Sequence, residues 1–152
     1  MSDAAISGAT RRFVVLRHAV GPGTRRDVGD HLDWMFEVVP GADLMTWSTP
    51  TADPSAPVDL VARRLPDHRR VYLEYEGALS PDPDGRDRGS VRRLAAGSIA
   101  TWEESAEAMT AVLRWDDDRT RTLRFQRTVD RRNRREERYR LTLRSGSNET
   151  NR

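Results

Sequence analysis

Residues 31–37 read His-Leu-Asp-Trp-Met-Phe-Glu, and this stretch decides the fold predicted for the chain. Successive side chains of a β-strand point to opposite faces, so every second residue shares a face. One face is wholly apolar and is expected to pack into a core; it carries Leu32, Trp34, Phe36 and Val38. The other is expected to face a cleft or solvent; it carries His31, Asp33, Met35 and Glu37. An imidazole and a carboxylate two residues apart on a rigid strand form half of a metal site.

The composition of the 152 residues predicts one polar, soluble domain. All 26 basic residues are arginine, which binds phosphate bidentately, although a genome-wide bias toward arginine explains the same count equally well. The absence of lysine excludes Schiff-base and lysine-adenylate mechanisms, and the absence of cysteine excludes thiolate ligands and thiol nucleophiles. No apolar run has the length of a membrane span, so we expect a cytoplasmic protein without a membrane partner.

The order of apolar segments predicts a mostly β fold, an antiparallel β-barrel, closed or nearly closed, with one or two short helices. The domain is expected over residues 11–144, with disordered tails at 1–10 and 145–152. Residues 44–48 are predicted to form a hairpin with the strand at 31–37. The other predicted strands are 13–16, 71–75, 97–102, 111–115, 121–129 and 138–144. Residues 103–109 fit either a short helix or a surface connection.

The three histidines are placed around the strand at 31–37. His18 follows the first strand, and the loop after it is expected to return the chain so that His18 meets His31 across neighbouring strands. His68 is expected in the loop before the strand at 71–75, with Tyr72 just inside that strand. Each of these residues, taken alone, is better explained by an ordinary surface or core position.

Two arginine-rich segments are candidate phosphate contacts. The glycine-containing loop at 80–89, with Arg92 and Arg93 close behind it, has the composition to close over a phosphate, although most polar glycine loops are only loops. The second segment is the tip of the last predicted hairpin, where a solvated turn and sequence-independent contact with nucleic acid are the two interpretations. Its arginines are Arg131, Arg132, Arg134 and Arg135.

A series of short motifs follows in order along the chain. They are Arg12-Phe13-Val14-Val15 with His18, His31-Leu32-Asp33 with Glu37, Leu44 with Trp47, Asp67-His68 with Tyr72, Tyr75-Glu76-Gly77, Gly89-Ser90-Val91 with Ala96-Gly97, and Trp102-Glu103. Over residues 11–144 this series resembles the 3′-phosphoesterase domain of bacterial DNA ligase D. The resemblance implies that the chain is a stand-alone, divergent member of that family.

In that family two histidines and an aspartate bind a divalent metal, and a further histidine and a tyrosine hold the phosphate. The resemblance implies His18, His31 and Asp33 as metal ligands, with His68 and Tyr72 as catalytic phosphate contacts. It implies manganese as the cofactor, and two imidazoles with one carboxylate also suit zinc. His68 would donate a proton or hydrogen bond to the phosphate, and Tyr72 would add a neutral donor.

Two features depart from the family pattern. The spacer between His18 and His31 has twelve residues, Ala19 to Asp30, and is longer than usual in the family. The family's phosphate-binding arginine is replaced by Met35, which predicts weakened activity. Loop arginines are the candidate replacements, namely Arg25, Arg26, Arg92 and Arg93. Glu37, on the same face, is expected to orient a metal-bound histidine or to reach a loop arginine.

Three functions therefore stand at this point. The first is a metal-dependent hydrolase that processes 3′-phosphate or 3′-ribonucleotide ends of nucleic acid in DNA repair. The second is a non-catalytic module that binds nucleic-acid ends, and the third is a phosphoesterase acting on a small phosphate ester. The expected partners are DNA or RNA 3′ ends and a repair ligase or polymerase, and the protein is expected to be a monomer. Without lysine the chain cannot itself be a ligase.

Overall fold

The computed structural model describes residues 10–20, 29–81, 83–85, 87–128 and 138–146. In these residues the chain forms nine β-strands and one 3-10 helix, which spans Arg70–Leu73. The strands are β1 (Arg12–Ala19), β2 (His31–Phe36), β3 (Leu44–Thr49), β4 (Val58–His68), β5 (Gly77–Ala78), β6 (Ser90–Glu104), β7 (Ala108–Trp115), β8 (Thr120–Arg127) and β9 (Arg138–Ser145).

The strands pair antiparallel in the order β1-β2-β3-β4-β9-β8-β7-β6, and β1 also pairs with β6. Eight strands therefore form a ring, and the short β5 pairs with β6 outside it. The sheet is nearly closed rather than a regular barrel, which confirms the predicted fold class. Closure matters because it leaves few unpaired strand edges. In the described ranges no helix has the length and hydropathy needed to cross a membrane.

The main core fills the inside of the ring. The predicted apolar face of β2 lies there, since Leu32, Trp34 and Phe36 are fully buried. Trp47 of β3 stacks on Phe125 of β8 with ring centroids 4.1 Å apart. The hairpin predicted between residues 31–37 and 44–48 is confirmed by the pairing of β2 with β3. Phe36 of β2 contacts both of these rings edge-on, with centroids 5.9 Å from each, so aromatic packing fixes the position of β2.

A second, smaller apolar cluster lies outside the ring, where the 3-10 helix covers part of β1 and β2. Tyr72 and Leu73 of that helix pack over Met35, and the other members of the cluster are Val14, Leu16, Leu44 and Val91. The expectation that the whole second face of β2 would border a cleft or solvent is wrong at Met35 and at Glu37, each of which is 1% exposed. The added layer of the 3-10 helix is the reason.

Two predicted elements differ from the observed ones, and a third, left open between a short helix and a connection, is a connection. Residues 71–75, predicted as a strand, lie in the 3-10 helix and the turn after it, which buries the neighbouring residues Tyr72 and Leu73 together. His68 is the last residue of β4 rather than part of a loop before a strand. Residues 103–109 contain a tight turn between β6 and β7, in which the Ser105 hydroxyl accepts the backbone N–H of Ala108 at 3.2 Å.

Candidate metal centre

The register of β1 and β2 brings the predicted metal ligands together. His18 lies directly opposite His31, and Asp33 lies opposite Leu16, two residue pairs further along. The residues on this outer face are two apart on each strand, so His18, His31 and Asp33 point the same way. The two imidazole rings lie 4.7 Å apart between centroids. The predicted meeting of His18 and His31 is confirmed, in spite of the long spacer.

The ligand atoms converge on the carboxylate. His31 Nε2 lies 3.3 Å from Asp33 Oδ1, and His18 Nδ1 lies 3.8 Å from Asp33 Oδ2. One ligand atom from each residue can be chosen so that all three lie within 4.8 Å of one another. Asp33 is 4% exposed, whereas the histidines are only partly buried. The group is therefore shielded on the carboxylate side and open on the imidazole side.

Backbone carbonyl groups hold both rings with a nitrogen directed toward Asp33. His18 Nε2 bonds to the carbonyl of Arg88 at 2.6 Å, and His31 Nδ1 bonds to that of Gly29 at 2.9 Å. A carbonyl can only accept, so those nitrogens carry the hydrogens. In the neutral rings the other nitrogen, which faces Asp33, is left with a lone pair. Metal-binding histidines typically have this arrangement, with the outer nitrogen donating to a fixed acceptor.

The donor set fits a cation. Asp33 Oδ1 is buried and accepts no well-aligned hydrogen bond, although His31 Nε2 is close to it. Two lone pairs and a carboxylate facing one another are unfavourable unless a positive charge lies between them. The neighbouring Asp33 carboxylate, which stabilises the protonated ring, raises the pKa of His31 against the opposite effect of burial. His18, His31 and Asp33 are therefore able to hold a metal ion.

The third histidine shares a cleft with this group. The cleft has a volume of about 720 Å³, and His68 lies on its wall together with the three candidate ligands. His68 Nδ1 bonds to the carbonyl of Pro66 at 2.8 Å, so in the neutral ring Nε2 carries the lone pair. All three histidines of the chain thus have one nitrogen fixed by a backbone carbonyl.

Tyr72 lies beside His68 but does not line this cleft. Its ring centroid is 6.0 Å from that of His68, and its side chain belongs to the second apolar cluster. It borders a neighbouring cavity of about 320 Å³. The structure therefore places Tyr72 next to His68 but outside the cleft that holds the candidate metal ligands.

Glu37 reaches an arginine rather than a histidine. Its buried carboxylate accepts the backbone N–H groups of Arg12 at 3.1 Å and Gly41 at 2.8 Å, and it pairs with Arg70 at 2.7 Å. Burial by itself would raise the pKa of Glu37, but these hydrogen bonds outweigh it and the pKa is lowered. Because Arg70 begins the 3-10 helix, Glu37 fastens that helix to the end of β2.

The predicted arginines and the cleft arginines are different residues. Arg93 donates to the carbonyl of Leu73 at 3.0 Å, and neither Arg93 nor the exposed Arg92 lines the cleft. Two others do, Arg63 of β4 and Arg138 of β9. Along β9 the exposed Arg138 alternates with buried residues, so it faces outward. Nothing local in the sequence indicates that β4 and β9 lie next to each other. Arg25, Arg26, Arg131, Arg132, Arg134 and Arg135 lie outside the described residues.

Comparison of the chain with protein-family models and with curated proteins finds no match.

Proposed function

We propose that this protein is a metal-dependent phosphoesterase that processes 3′-phosphate or 3′-ribonucleotide ends of nucleic acid in DNA repair. The observation that carries the proposal is the convergence of the His18 and His31 lone pairs on the buried Asp33, in the cleft that also holds His68. The motif resemblance to the 3′-phosphoesterase domain of DNA ligase D supports the same substrate class.

Manganese is the proposed cofactor, with zinc as the alternative, and His18, His31 and Asp33 are the residues that would hold it. Two imidazole nitrogens and one carboxylate leave further coordination positions for substrate and water, as catalytic sites require. A divalent ion bound there would supply Lewis-acid polarisation of a phosphoryl group. The carbonyls of Arg88 and Gly29 hold the two ligand rings in place before the ion binds.

His68 is the proposed proton donor. In hydrolysis of a 3′-phosphate, the oxygen of water bonds to phosphorus, the bond from phosphorus to the 3′ oxygen breaks, and that oxygen takes up a proton from His68. The proton that the attacking water loses returns His68 to its protonated form. The Pro66 carbonyl keeps a hydrogen on His68 Nδ1, so the proton to be transferred is held on Nε2 of the imidazolium. Tyr72 contacts this ring edge-on and is proposed to position it.

The test is a Mn²⁺-dependent assay on an oligonucleotide duplex that ends in a 3′-phosphate. We expect His68→Gln to lower kcat by roughly a hundredfold, because general acid catalysis typically contributes that much or more. Manganese affinity, measured by calorimetry, should stay unchanged in the same variant. Asp59→Asn on the exposed side of β4 is the control, since Asp59 pairs with Arg140 and does not line the cleft. Absence of turnover in the metal-loaded wild type would overturn the proposal.

A non-catalytic module for nucleic-acid ends is the second candidate. It is favoured by Met35, which is buried and has no guanidinium, at the position where the resembled family has its phosphate-binding arginine. Binding of the same duplex without turnover, in the presence of Mn²⁺, would support this candidate over the first.

A further inference from the structure

A row of side chains crosses four strands at the level of Asp33. The register pairs Asp33 of β2 with Ser48 of β3, Ser48 with Arg63 of β4, and Arg63 with Arg138 of β9. Directly opposed residues of neighbouring strands share a face of the sheet. All four side chains also line the same cleft. The cleft therefore continues from the candidate metal centre along this row.

The charges along the row change sign with distance from the metal centre. The carboxylates of the described cleft wall are Asp33 and Asp30, and Asp30 is already paired with Arg17 at 3.3 Å. The guanidinium groups of the wall are those of Arg63 and Arg138. Once a divalent ion offsets Asp33, the described part of this cleft wall favours anions. Guanidinium groups bind phosphate through paired hydrogen bonds, so phosphate is the anion they suit best.

Arg63 and Arg138 lie at different distances from Asp33, because they are on different strands. Neighbouring strands lie about 4.8 Å apart, so the backbone of Arg63 is roughly 10 Å and that of Arg138 roughly 14 Å from Asp33. Arg63 lines the same cleft as His18, His31 and Asp33, so its side chain lies on the wall that the metal centre shares. Arg138 is one strand further away, so a phosphate held at the metal centre and touching Arg63 leaves room for a second phosphate beside Arg138.

We infer that Arg63 clamps the phosphate at the metal centre and that Arg138 binds the next phosphate along a nucleic-acid strand. The inference rests on the proposed function and adds the size of the substrate: a polynucleotide end with at least two phosphates, rather than a mononucleotide or a small phosphate ester. It also assigns to β4 the guanidinium that the buried Met35 cannot provide. Both arginines are exposed, so their replacement leaves the core intact.

The first test compares two substrates in Mn²⁺, a 3′-phosphorylated oligodeoxynucleotide and a nucleoside 3′-monophosphate. We expect the wild type to have a kcat/KM at least tenfold higher for the oligonucleotide. Arg138→Gln should remove roughly that tenfold advantage and leave the mononucleotide unchanged, whereas Arg63→Gln should slow both substrates. The control is Arg124→Gln, which makes the same charge change on the exposed side of β8, where Arg124 bonds to Gln126.

The second test measures binding without turnover. The fluorescence anisotropy of a labelled 3′-phosphorylated oligodeoxynucleotide is followed in EDTA over a range of salt concentrations. Each phosphate contact with a single strand contributes about 0.7 to the slope of log K against log salt, so Arg138→Gln should lower the slope by about that amount. Arg124→Gln should leave it unchanged.

The outcomes separate the two proposals. Turnover that is equal on both substrates, with Arg138→Gln behaving like Arg124→Gln, would overturn the second-phosphate site and leave the phosphoesterase standing. Absence of turnover, together with binding that weakens in Arg138→Gln but not in Arg124→Gln, would overturn the phosphoesterase and support the second-phosphate site.

Discussion

The outer face of β1 and β2 has two halves that differ in what covers them. In one half the rung of Val14 and Met35 is sealed under Tyr72 and Leu73 of the 3-10 helix. In the other half the rung of His18 and His31 lines an open cleft. The same strands and the same alternation produce both halves. The alternation of residues along a strand determines which side chains share a face. Whether those side chains are buried or line a cleft depends on the segment of chain that packs over them.

A charge placed in the sealed half should have the largest effect. Met35→Arg would put an unpaired guanidinium into the second apolar cluster, which we expect to lower the free energy of unfolding by about 3–5 kcal/mol. Chemical denaturation followed by far-UV circular dichroism measures this. The motif resemblance alone predicts the reverse, a gain of activity from restoring the family arginine.

Met35→Leu is the matched control, since a volume-conserving apolar exchange usually costs less than about 1.5 kcal/mol. A stable Met35→Arg protein with raised Mn²⁺-dependent activity would show that the two halves are not separated as described.

Loss of a ligand in the open half should affect metal binding rather than folding. Removing His31 leaves one imidazole and one carboxylate, and we expect the affinity for Mn²⁺ to fall by at least about a hundredfold in His31→Ala. Calorimetric titration with Mn²⁺ gives the affinity, and His68→Ala is the comparison variant because His68 lines the cleft without belonging to the ligand group. Equal affinities in wild type and His31→Ala would show that the metal does not bind at His18, His31 and Asp33.

The ion pair between Glu37 and Arg70 holds the 3-10 helix in place, so we expect the free energy of unfolding to fall in acid. The folded-state pKa of Glu37 is lowered, so its contribution to stability is complete above its unfolded pKa and is lost as the pH falls through the folded value. Glu37→Gln should therefore cost about 1.5–3 kcal/mol at neutral pH, the value of hydrogen bonds to a charged group, and less in acid.

The measurement is the unfolding free energy of wild type and Glu37→Gln at neutral pH and in acid below pH 4. Asp43→Asn serves as the control, a charge change of the same size in the turn that follows β2. A stability difference that stays constant across this range would mean that the Glu37 carboxylate is not what holds Arg70.

The sequence by itself determined the features that depend on alternation along one strand or on a pair of adjacent strands. The apolar face of β2, the β2–β3 hairpin and the nearly closed antiparallel sheet were predicted from the period of two and the chain order. The same period placed His31 and Asp33 on one face, and the motif resemblance added His18 to the group. Tertiary structure alone decided which segment lies over which face. The 3-10 helix at Arg70–Leu73 buries Met35 and Tyr72, and the pairing of β4 with β9 brings Arg63 and Arg138 into the cleft. These contacts join residues far apart in the chain, and no local period of side chains reports them.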